Sequence, residues 1–127
     1  MKVEWLDRRV ALAGPYLTLC TSEEEYLAAL KHCKIKPIDD WIKTPWADAT
    51  VHHAANDKDE RVTLVCIRVN DSRTPIEIAG LLVHEAVHIW QDYADRMGET
   101  NPGKEQEAYA IQAIAQELMA AYARRIK

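Results

Sequence analysis

The chain has 127 residues, a formal net charge of −4, 48% apolar residues and 28% charged residues. This is the composition of an ordinary folded domain, and it excludes a disordered, collagen-like or coiled-coil chain. An acidic chain with scattered basic residues is not built for nucleic acid, and no run reaches the ~20 apolar residues of a membrane helix, so neither partner is expected.

In chain order, the N-terminus Met1-Lys2-Val3-Glu4-Trp5-Leu6-Asp7 has no apolar leader, and a cytoplasmic location is expected. Gly14-Pro15 signals a turn into a short β-prone run, Tyr16 to Cys20. Thr21 or Ser22 can cap a helix that runs to about Lys34, with a glutamate three residues on and with Tyr26, Leu27 and Leu30 turned inward. Pro37 and Pro45 bracket a loop whose two tryptophans, Trp41 and Trp46, are expected to pack onto the body. Ala49 to Ala55 and Arg61 to Val69 read as a β-hairpin turning at residues 56–60. Val62, Leu64 and Cys66 fall on one face of its second strand, and Thr63, Val65, Ile67 and Val69 on the other. Both faces are therefore expected to be covered.

The next helix carries the strongest signals. Thr74-Pro75-Ile76-Glu77 supplies a cap, a proline at the first helical position and a glutamate at the third. It should run to about Met97 and stop at Gly98. A last helix from about Lys104 nearly to the end follows a short connection, so the two should be antiparallel neighbours. Its terminal Arg124-Arg125-Ile126-Lys127 suits the negative end of a helix dipole. The expected fold is α+β: a small sheet with a β-hairpin, then two antiparallel C-terminal helices. Cys20, Cys33 and Cys66 fit no metal or redox spacing and read as buried small side chains of a reducing compartment.

His84-Glu85-Ala86-Val87-His88 lies inside the first of those two helices. A spacing of four puts both imidazoles on one side, one turn apart, where they can share one Zn²⁺. Glu85 then takes a proton from water instead of ligating the ion. On the helical wheel the histidines share the polar side with Glu77, Gln91 and Asp95, while Ile78, Leu82, Ile89 and Tyr93 mark the core side. A third ligand must lie elsewhere. Asp92 would crowd a single helix; Asp95, Glu99, Glu105 and Glu117 are further carboxylates downstream. Glu107 extends the inward stripe of Ile111, Ile114, Leu118 and Tyr122 by one turn, whereas Glu105 aligns with Gln112 and Gln116. A carboxylate on an inward stripe must be paired or ligated, so Glu107 is the expected third ligand.

These two motifs, His84 to His88 and Glu105-Gln106-Glu107-Ala108-Tyr109, resemble those of gluzincin-type zinc metallopeptidases, especially small members encoded by phages and prophages. The resemblance covers roughly Pro75 to the C-terminus. It implies a minimal zincin-like domain, zinc ligands His84, His88 and Glu107, Glu85 as catalytic base, and a peptide or protein substrate held in extended form at an edge strand. Two features of relatives are missing: an aspartate one turn beyond the glutamate ligand, where Ala110 and Ile111 stand, and a motif placing an oxyanion-stabilising His or Tyr. His52, His53, Tyr16 and Tyr109 remain open for that last role. His52 and His53 point to opposite faces of a strand, so at most one of them can face the ion. A zinc-stabilised binding or regulatory module with little hydrolysis is the alternative function.

Overall fold

Three strands form one sheet, and the alternation of their side chains sends two sets of apolar residues to opposite faces. The computed structural model describes residues 1–6, 16–37, 39–70 and 72–126. The expected Gly14-Pro15 turn and the final Lys127 lie outside them. The order is β1 (Tyr16–Cys20), α1 (Glu23–His32), β2 (Ala49–Ala55), β3 (Arg61–Ile67), α2 (Pro75–Arg96) and α3 (Lys104–Arg125). The sheet runs β1-β3-β2: β1 is parallel to the central β3 and β2 is antiparallel to it. This is the α+β fold expected, and the expected strand Tyr16–Cys20 joins the hairpin in parallel.

Leu17, Leu19, Val65 and Ile67 face α2 and α3, where they meet Leu82, Ile89, Ile114 and Leu118. Cys20, Val62, Leu64 and Cys66 face the other way, against Tyr26 and Leu30 of α1 and Ile42 of the following loop. The central strand is covered on both sides, as its sequence requires. It ends at Ile67 rather than Val69, because Arg68 turns to the neighbouring loop. There its N–H donates to the Asp48 carbonyl and its guanidinium to that of Ala47.

The helix boundaries follow from their caps. Ser22 accepts from the Glu25 N–H, and Glu25 in turn accepts from the N–H and hydroxyl of Thr21. α1 closes at His32, short of the expected Lys34, whose φ of 60° lies in the left-handed region. Its Tyr26 and Leu30 are buried, but Leu27 is 41% exposed and does not belong to the inward row. Thr74 and Glu77 form the reciprocal capping box of α2, and Gly98, at φ 72°, stands where the chain leaves it. The 56–60 turn is held by Asn56, whose side-chain oxygen accepts from the N–H groups of Lys58 and Glu60. Trp41 packs beside the α1 core, whereas Trp46 is 82% exposed and only the first tryptophan fulfils the packing expectation. Cys20 and Cys66 are buried, Cys33 is half-buried, and all three are free thiols. Among the described residues, no helix is long and apolar enough to cross a membrane.

Candidate metal and catalytic site

One side of α2 faces away from α3 and toward β2. Because β2 is an edge strand, the two elements leave an open depression of about 480 Å³ between them. α2 lines it with His84, Glu85, His88, Gln91, Asp92 and Asp95, and β2 with Ala49, Thr50, Val51 and His53; Lys43 adds a cation from the loop. The polar side of the helical wheel is thus the cleft wall, and its apolar side is the core.

His84 and His88 are exposed, and their Nε2 atoms face each other at 3.1 Å. Two nitrogens on a tetrahedral zinc, each ~2.0–2.1 Å from the ion, stand about 3.3 Å apart. The observed spacing therefore fits a shared ion. The His88 Nδ1–H donates to Gln91 Oε1 at 3.1 Å, which leaves the Nε2 lone pair facing the cleft. His84 Nε2–H then supplies the proton between the rings. Gln91 thus orients His88 as outer-shell partners of metal-bound imidazoles do. The sequence placed Gln91 on the correct side without assigning it this task.

Glu85 differs from its flanking histidines in being only 6% exposed. Burial pushes its carboxyl pKa up, and the nearby His84 and His88 charges act in the opposite direction. A carboxylate with raised basicity beside a cleft is suited to accept a proton.

Glu107 is not brought to this group. Its Oε2 accepts from the Trp90 indole N–H at 2.8 Å, and it is absent from the cleft lining. Trp90 lies about 200° around the helix from His88, at about 100° per residue, so its partner is on the far side of α2. The expected inward stripe of α3 holds at Ile114 and Leu118 but is only part of the helix's buried face. Its buried row is Ala110, Ile114, Leu118 and Ala121, with Ile111 and Tyr122 only partly buried. Glu107 closes the edge of that row by capping a buried indole. Glu105 is exposed, as expected. Among the described residues, no three His, Cys, Asp or Glu side chains converge to hold an ion.

Across the cleft, the ring of His53 faces α2. Its Nδ1 is 3.2 Å from the Thr63 hydroxyl and 3.4 Å from Asp92 Oδ2. Arg96 holds Asp92 in turn, its Nε–H donating to Oδ2 at 2.7 Å. His52 points to the opposite face, as strand alternation demands. Tyr109 is 66% exposed on α3, and Tyr16 is on β1 at the other edge of the sheet. Of the four residues left open for the oxyanion role, only His53 lines the cleft. Comparison with known protein families, curated proteins and solved structures finds no match for this chain.

Proposed function

We propose that the chain is a zinc-dependent peptide hydrolase. The observation that supports this most is the pair of opposed Nε2 atoms, 3.1 Å apart on an exposed helix face beside a buried carboxyl of raised pKa. His84 and His88 would hold the ion, which supplies a Lewis acid and lowers the pKa of water toward ~7. Glu85 accepts the proton released as water attacks a peptide carbonyl. Its carboxyl is buried in the cleft wall. Gln91 fixes the ring of His88. The polar opening beside the free edge of β2 admits an extended peptide or protein segment, whose backbone can pair with that edge. The three free thiols suit a cytoplasmic setting for this activity.

The test joins metal content to turnover. Protein purified without chelator is expected to carry about one zinc per chain and to cleave members of a broad peptide library. Metal-free protein with both histidines intact would sink the proposal. The alternative is a zinc-stabilised binding or regulatory module with little hydrolysis. One zinc per chain with no cleavage across the library would decide for that module.

A further inference from the structure

We propose that His53, on β2, is the third protein donor to the ion held by His84 and His88, with Asp92 as the carboxylate behind it. This rests on the zinc reading above and names a ligand that the reading leaves open. A catalytic zinc has three protein ligands as a rule, and a donor that joins the pair must already face the cleft. Besides the pair, its walls carry four His, Asp or Glu side chains: His53, Glu85, Asp92 and Asp95.

Three of these are poorly disposed. Glu85 is buried in the helix face beside the pair. Asp95 lies seven residues beyond His88, about 10 Å along the axis at 1.5 Å per residue. Asp92 is a short side chain on the same helix, one turn past His88, and its Oδ2 is already taken by Arg96 at 2.7 Å. His53 alone comes from the opposite wall, so it can approach the pair from a direction that α2 cannot supply. Its side chain is 25% exposed, and its Nδ1 lies 3.2 Å from the Thr63 hydroxyl and 3.4 Å from Asp92 Oδ2. With the proton on Nδ1, toward Thr63 Oγ1 and Asp92 Oδ2, the free lone pair is on Nε2. An imidazole that donates one N–H to a carboxylate and offers the other nitrogen is the usual arrangement of a metal-bound histidine. It is the same arrangement that Gln91 gives His88.

The experiment uses the full chain and zinc alone, with affinity read by competition against a chromophoric chelator. His53→Ala and His53→Gln are expected to weaken zinc at least about tenfold, since even an outer-shell loss costs that much. Asp92→Asn should weaken it by a smaller factor, and Glu107→Ala should leave it unchanged. Imidazole ¹⁵N spectra of the unmutated protein give an answer that does not depend on a variant's folding. Zinc should shift the ring nitrogens of three histidines, His53, His84 and His88. A response from His84 and His88 only, or wild-type affinity in both His53 variants, overturns the assignment of His53 while leaving the zinc reading standing. No zinc binding by the unmutated protein overturns both.

Discussion

Adjacent histidines on β2 face opposite sides of the sheet, and their surroundings have little in common. His52 is 6% exposed. Its Nε2–H donates to the Trp41 carbonyl at 2.8 Å, and its ring lies 4.8 Å from that of Tyr26. Its Nε2 is satisfied, and the buried ring sits at the floor of a depression edged by Lys36, Asp39 and Lys43. His53 opens onto a polar cleft, its Nδ1 beside the Thr63 hydroxyl and beside Asp92, which also accepts from Arg96. Residue type is identical and sequence position differs by one, so the pleat alone assigns one histidine to architecture and the other to the candidate site. On the α1 side, helix and loop pack their apolar residues onto the central strand. On the α2 side, the helix presents apolar residues to β1 and β3 but polar ones to the edge strand, and the cleft is what remains.

The largest effects should fall on the open side and be functional. Glu85→Gln is expected to retain zinc and lose at least about 100-fold in turnover of any peptide that the wild type cleaves, because the amide cannot accept a proton. His84→Ala and His88→Ala should lose zinc itself. Turnover by Glu85→Gln at the wild-type rate would show that Glu85 is not the base.

On the closed side the same scale of perturbation should appear as stability. Leu64 is fully buried against α1. Its truncation to alanine removes packed methyls and leaves a cavity, a change that costs about 2–5 kcal/mol. Urea unfolding should show this loss, while zinc affinity of the fraction still folded stays at the wild-type value. A change in zinc affinity without a change in stability would mean that the two faces are not independent.

Much of this division was legible in the residues. The alternation through β3 announced a strand covered on both faces, the Thr74 capping box announced α2, and the helical wheel placed His84, His88, Gln91 and Asp95 together. Two things were not legible, for physical reasons. The phase of α3 was blurred because alanines fill much of its buried face, and alanine carries almost no periodic hydrophobic signal. Ala110 and Ala121 are fully buried there beside Ile114 and Leu118, while Ile111 and Tyr122 are only partly buried. The meeting of His53 with Asp92 is a contact between residues 53 and 92, and it depends on β2 being the edge strand beside α2. No local pattern encodes that order.

Glu107 offers a smaller and sharper test on α3. If its task is to accept from the Trp90 indole, Glu107→Ala leaves a donor on a side chain that is 2% exposed. An unsatisfied buried donor costs about 1–3 kcal/mol. Trp90→Phe in the Glu107→Ala background should recover part of that cost, because it removes the orphaned N–H. Thermal unfolding of the single and double variants gives the comparison. Strong zinc weakening in Glu107→Ala would return it to the ligand set instead.

The smallest expected effect is a pH dependence that belongs to the closed face. Burial pushes the His52 pKa below its usual 6.5, helped by the nearby Lys43 and opposed by the Trp41 carbonyl and Asp39. A histidine that is harder to protonate in the folded chain binds fewer protons there than in the unfolded chain. Stability therefore rises with pH across the interval between the folded and unfolded pKa values, and falls as pH drops below about 6.5. The loss from this group ends once the folded pKa is passed, so it is limited to the proton of one residue. His52→Gln keeps an N–H that can reach the Trp41 carbonyl but removes the titration. Its unfolding free energy, measured in urea from pH 7.5 to 5, should change less with pH than that of the wild type. His53 also has a lowered pKa from burial, with Asp92 pulling the other way. His53→Gln is therefore the necessary companion. A slope unchanged by His52→Gln but removed by His53→Gln would place the acid sensitivity in the cleft and not in the core.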